Sequence, residues 1–121
     1  MIAEEFDHFS HLIAAIVHLT HRLDGSFEQF KAKIQLVDGS YLHINEVYVS
    51  HELRKYAYYW VTPTGEVLQG WDNAPHHPEI ASYPHHFHQQ DHVYPSPVRT
   101  LEDVFKSLED WFSNQQHLLE E

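Results

Sequence analysis

The stretch EEFDHFSHLIAAIVHLTHRL, residues 4–23, repeats its apolar positions at helical intervals. Phe6, Phe9, Leu12, Ile13, Ile16, Leu19 and Leu23 fall on one broad side at about 100° per residue, with His8, His11, His18 and His21 opposite them. Glu4, Glu5 and Asp7 near its start complement a helix dipole, and Asp24-Gly25 supplies a stop. The pattern predicts an N-terminal amphipathic helix. From Phe30 the period falls to two. Phe30, Ala32, Ile34 and Leu36 alternate with Lys31, Lys33 and Gln35, as in a half-buried strand. Asp38-Gly39 is a hairpin signal, because glycine readily takes the positive φ of a tight turn. Leu42 and Ile44 continue the alternation, but Val47 and Val49 lie on the other parity, which predicts a bulge or bend around Asn45-Glu46. RKYAYYWVT reads as a third strand, PTGE as a turn and VLQGWD as a fourth strand. At the end, TLEDVFKSLEDWF sets Leu101, Val104, Phe105, Leu108, Trp111 and Phe112 on one helical stripe. Thr100 and Asp103 there form a capping-box variant.

These elements predict an α+β fold in one domain spanning residues 1–121: an N-terminal helix, a four-stranded antiparallel meander, a long loop and a C-terminal helix. Short links between successive strands favour a meander over crossover units. Each helix has a single apolar stripe, so both should pack on one face of the sheet.

The segment between the fourth strand and the last helix changes the picture. DNAPHHPEIASYPHHFHQQDHVYPSP, residues 72–97, holds six histidines and five prolines and no glycine. A structureless loop beyond ~12–15 residues inside a compact domain is usually functional or disordered. Tyr83 and Phe87 are anchors by which it could pack onto the sheet.

Composition narrows the chemistry. Cysteine is absent, which excludes disulfides, thiolate metal sites and cysteine nucleophiles. No apolar run approaches the ~20 residues that span a bilayer, and the N-terminus is acidic where a secretory signal is basic. The expectation is a soluble, cytoplasmic protein without membrane contact. The formal charge is −11 with histidine neutral, and 13 protonated imidazoles would carry it to +2. An acidic surface repels nucleic acid at long range and attracts a basic partner. Even so, Lys31, Lys33, Arg54 and Lys55 fall within the predicted sheet, where a local basic patch can form.

The histidines admit two chemistries. Imidazole is the commonest general acid or base near neutral pH, and a pair can serve both roles in phosphodiester cleavage. In that reading His76, His77, His86 or His88 acts as acid or base, and Asp72 orients one of them. Asn73, Arg54 and Lys55 contact the substrate, the cations offsetting charge on the phosphorane. No cofactor is needed. In the alternative, a non-catalytic binding module, the loop takes an anion, a protein partner or a divalent metal, with His86, His88 and His92 as ligands. Plain turn chemistry accounts equally well for Asp72-Asn73, and a solvated face for Lys31 and Lys33. Glu46 reads as a catalytic carboxylate or as a bulge residue.

Several of these motifs occur together elsewhere. The Tyr-rich strand Tyr56–Trp60, the Gly65 turn, Trp71–His77 with Asp-Asn-Ala-Pro-His-His, Pro84–His88, Pro95–Pro97 and the helix from Thr100 resemble the TumE-type toxins of toxin–antitoxin pairs. The match covers about half of the chain. Members often carry a basic residue just before the aromatic-Asp-Asn element, where this chain has Gly70. The resemblance implies a small toxin neutralised by a basic or helix-turn-helix antitoxin, with ribonuclease activity an expectation for the class. The partners it leaves open are RNA and a second copy of the chain.

Overall fold

The computed structural model describes residues 2–120, with side chains through residue 115. Its centre is one seven-stranded antiparallel sheet in simple meander order, β1 (Ile13–Asp24), β2 (Phe27–Leu36), β3 (Tyr41–Val49), β4 (Glu52–Val61), β5 (Val67–Asp72), β6 (His86–Gln89) and β7 (His92–Pro95). Helix α1 (Ile2–His8) precedes it and α2 (Leu101–Glu120) follows it. The fold class is α+β, as the sequence predicts, with seven strands in place of four.

Three of the differences have clear physical causes. The predicted N-terminal helix stops at His8, passes through one 3-10 turn at Ser10–Leu12 and becomes β1. Ile13, Ile16, Val17 and Thr20 are β-branched and favour a pleated surface. The outer edge of β2 also supplies a long row of backbone partners. The helical periodicity has a simple origin: register shifts between Ile13 and Ala15 and between Ile16 and His18 place Ile16 opposite Ile34 and Leu19 opposite Ala32, so a spacing of three stays on one face. Asp24-Gly25 stops no helix. Gly25, at φ +59°, sits in the tight β1–β2 turn.

The second difference is the long loop. Its second half is a hairpin, β6–β7, which adds to β5 through Asp72 opposite His86 and Gly70 opposite His88. The turn residues Gln90 and Asp91 both have positive φ, the geometry that matches hairpin twist. The third is the bulge expected at Asn45-Glu46. The β2–β3 register runs unbroken from Phe27–Val49 to Gln35–Tyr41. The irregularity lies on β4, where Val47 faces Lys55 and Tyr48 faces Leu53, leaving Arg54 as the extra residue.

Both helices cover the same face, as their stripes predict. Phe30, Ile34, Leu36, Leu42, Ile44, Tyr58, Trp60 and Trp71 meet Ile2, Phe6 and Phe9 from the N-terminal segment and Leu101, Val104, Phe105 and Leu108 from α2. Each such side chain contributes about 1.5–3 kcal/mol when fully buried. Phe105 stacks on Phe9 at 5.0 Å and meets Phe6 edge-on at 6.3 Å, so it ties the two helices together. The Thr100 cap is present: its hydroxyl accepts from the Asp103 amide at 3.3 Å, and its own amide donates to the Asp103 carboxylate at 2.9 Å. No helix among the described residues is long and apolar enough to cross a membrane. Among the described residues no helix lies on the other face of the sheet, and the candidate site is there.

Candidate active site on the open sheet face

Alternation along the strands decides which residues reach the open face. On β4, Tyr56, Tyr58 and Trp60 point into the core, which turns Ala57 and Tyr59 outward. Ala57 pairs with Asp72, Tyr59 with Gly70, Asp72 with His86 and Gly70 with His88. Register alone therefore gathers Tyr59, Asp72, His86 and His88. His77, on the preceding loop, folds over them, with ring centroids 5.1 Å from His86 and 6.1 Å from His88.

Asp72 is the hub, and only 5% of it is exposed. One carboxylate oxygen accepts from the Ala74 amide at 2.9 Å and lies 2.8 Å from His86 Nε2. The other accepts from the Tyr59 hydroxyl and from His88 Nε2 at 3.1 Å. The turn chemistry and the orienting role are thus one device: the Asx turn that ends β5 also fixes the carboxylate that holds the rings. Tyr59 is a dependable donor. Burial first, then the Asp72 carboxylate, pushes its hydroxyl well above the ordinary tyrosine range.

The imidazoles are not equivalent. His86 is buried, and its Nδ1 donates to the Pro84 carbonyl at 2.9 Å, so both of its nitrogens are committed. His88 donates from Nε2 to Asp72, which leaves Nδ1 with no protein partner among the described residues. Burial lowers the His88 pKa, and the Asp72 carboxylate opposes this in part. His77 meets Glu79 through Nδ1 at 3.2 Å and keeps Nε2 open. These groups line a cavity of about 530 Å³ together with Lys55, Asn45, Asn73 and His76.

The remaining candidates lie as follows. His76 is exposed at the cavity rim. Asn73 is engaged with backbone: its Oδ1 accepts from the Tyr56 amide and its Nδ2 donates to the Arg54 carbonyl, both at 2.9 Å. That clamp locks the β4 bulge to the exit of β5. Arg54 pairs with Glu52 at 3.0 Å in solvent, while Lys55 turns toward the cavity. His85 points away from the cluster and stacks on Tyr56, whose hydroxyl meets its Nδ1 at 2.8 Å. His92 is exposed on β7, its ring beside Tyr94.

A metal could be held by Asp72, His86 and His88, whose ligand atoms all lie within 4.8 Å of one another. His92 is outside that set. Tyr59 is the site residue that sequence reading missed. The signal for it was the alternation in YAYYW, which sends every second position, Ala57 and Tyr59, outward. Gly70 is explained by the same residue: a β-carbon there would run into the Tyr59 ring, so glycine lets that ring lie across β5 and reach Asp72.

Glu46 belongs to neither the cavity nor a bulge. It is buried on the helix-covered face and accepts from the Tyr58 hydroxyl at 2.6 Å. Burial pushes its carboxyl above the ordinary range. A raised carboxyl favours folding only while protonated, so its cost grows as pH climbs from the unfolded value through the raised folded one. Glu46→Gln keeps an acceptor for Tyr58 and removes the charge. Thermal melts should place this variant above the parent at pH 8, with the gap closing toward pH 5. A gap that is the same at both pH values would refute the assignment.

A family model described as Toxin TumE covers residues 3–116. No curated protein and no solved structure matches the chain.

Proposed function

Since the chain belongs to the TumE toxin family, we propose that it is the toxic half of a toxin–antitoxin pair and that its toxicity is RNA cleavage in the cavity over Asp72. One observation carries the reading. Asp72 fixes His88 with its Nδ1 lone pair open to the cavity, and His77 offers a second free ring nitrogen across from it.

In this mechanism His88 Nδ1 takes the proton of a ribose 2′-hydroxyl. The 2′-oxygen bonds to phosphorus, the bond from phosphorus to the 5′-oxygen breaks, and His77 returns a proton to that leaving oxygen. The products are a 2′,3′-cyclic phosphate and a free 5′-hydroxyl. Lys55 offsets charge building on the non-bridging oxygens, and Tyr59 and His86 hold Asp72 in place. The lowered His88 pKa keeps its lone pair available at neutral pH. The antitoxin would meet a chain of net charge −11, for which a basic partner is electrostatically suited.

The test is incubation of the purified chain with end-labelled RNA at neutral pH, with and without a chelator. Fragments ending in cyclic phosphate, formed equally in both tubes, are expected. Absence of cleavage on every RNA tried would overturn the reading. The convergence of Asp72, His86 and His88 favours a second one, in which the same residues bind a transition-metal ion. Cleavage that appears only with added metal, or stoichiometric metal without turnover, would move the assignment there.

A further inference from the structure

The open face continues beyond the cavity, and its charge differs from that of the rest of the molecule. Two cross-strand rows run side by side toward the site. One is His18, Lys33, His43, Tyr59, Gly70 and His88. The other is Thr20, Lys31, Asn45, Ala57, Asp72 and His86. The first begins with His18 and Lys33 and the second with Thr20 and Lys31, and both end at the cluster on β5 and β6. A second hollow of about 280 Å³, lined by His18, Lys31, Lys33 and His43, lies between. It shares Asn45, Ala57 and Tyr59 with the first cavity, so the two are continuous.

Charge is segregated across the sheet. Arg22, facing Gln29, and Lys55, facing Val47, add to Lys31 and Lys33, so this face bears four of the seven lysines and arginines. Arg22 lies 5.5 Å over the Phe27 ring and Lys33 4.7 Å over Tyr41, which holds both on this side. Within the two rows the only carboxylate is Asp72. Glu4, Glu5, Asp7, Glu102, Asp103 and Glu109 lie in the helices on the opposite side, while Glu66, Glu79 and Asp91 border the far end of the site, away from Lys31 and Lys33.

We propose that the β1–β2 end of this face is a binding track for single-stranded RNA, with Lys31 and Lys33 contacting phosphates of the chain that runs into the cavity. The substrate class rests on the cleavage reading above, while the track itself rests on charge and on continuity with the site. Three strand spacings of about 4.8 Å separate Lys31 from Asp72, so the track adds roughly 14 Å to the bound chain. That is room for a few nucleotides upstream or downstream of the scissile bond. Two nearby aromatics, Tyr41 and Tyr59, suit base stacking. The −11 overall charge discourages non-specific binding elsewhere, which confines RNA to this face.

The test uses fluorescence anisotropy with a 12-nucleotide RNA across a salt series, together with turnover of that RNA and of a dinucleotide. Lys31→Ala/Lys33→Ala should bind the 12-mer roughly tenfold more weakly at 0.1 M salt, and its log–log salt slope should fall by roughly 1.4, for two lost contacts to a single strand. Dinucleotide turnover should be unchanged, because a dinucleotide occupies only the cavity. Lys106→Ala, on α2, removes a cation from the other side and should leave 12-mer binding as it was. Circular dichroism melts check that Lys31→Ala/Lys33→Ala folds, as expected for one exposed and one half-buried lysine. Equal affinity and slope in parent and double variant, or a parent that binds no 12-mer, would overturn the track. If parent and double variant differ in affinity and slope as expected but the parent cuts nothing, the track stands and the cleavage reading is removed.

Discussion

His88→Ala is expected to lower RNA cleavage by roughly 10²–10⁴-fold, the range typical for loss of a positioned general base. The loss should fall on kcat more than on KM, since the proposed mechanism gives His88 a proton to move and leaves binding of the chain to Lys55 and the lysine track. The pH profile provides a second measurement. The His88 pKa is lowered by burial, so its neutral form prevails from below the ordinary imidazole value upward. The rising limb of kcat/KM against pH should therefore sit on the acid side of 6.5, the unperturbed value. In His88→Ala that limb should disappear from the residual activity. Folding should survive, because Asp72 keeps the Tyr59 hydroxyl, the Ala74 amide and His86. A His88→Ala protein with parental melting temperature and parental cleavage would remove His88 from the chemistry and leave His77 and His86 to be tested in turn.

The legibility of this site in the sequence was uneven, for reasons that follow from strand geometry. His86 and His88 could be placed on one side because residues two apart in an extended chain share a face. Asp72 could be named because an acid at a strand end favours turn chemistry. What the sequence does not contain is the pairing partner. That β6 joins β5 in the register of Asp72 opposite His86 depends on a hairpin hidden among prolines, and Pro84 and Pro95 obscured two short strands. His85 lies one residue from His86, and that odd step sends it to Tyr56 on the other face. The N-terminal error has the opposite cause: bulges in β1 put a spacing of three on one face of a strand, which imitates a helix. The inner strands are legible in outline because most of their positions alternate against one covered face, although the parity break at Val47 points to a bulge on β3 and the irregularity lies on β4. The C-terminal helix was legible for the same reason, its stripe and its cap agreeing.

The largest stability effect should come from that helix. Phe105 is fully buried and is the ring on which both helices meet, stacked on Phe9 and edge-on to Phe6. Phe105→Ala removes the ring from a close-packed setting and leaves a cavity that neighbours cannot fill without moving α1. Such truncations cost ~3–5 kcal/mol. Small domains are stable by only ~5–15 kcal/mol in total, so this variant should keep a minor part of the parental margin. For a chain of this length the melting temperature should fall by at least about 10 °C. Val67→Ala, at an exposed apolar position on β5, deletes carbons without opening a core and should melt within about 2 °C of the parent. The contrast also separates packing from catalysis. Below its own melting temperature Phe105→Ala should still cleave RNA, since Phe105 belongs to the helix-covered core and the Asp72 cluster lies on the opposite face of the sheet. If cleavage by folded Phe105→Ala were as low as that of His88→Ala, the two faces would be coupled, and the division of labour between a helix-covered core and an open reactive face would be wrong.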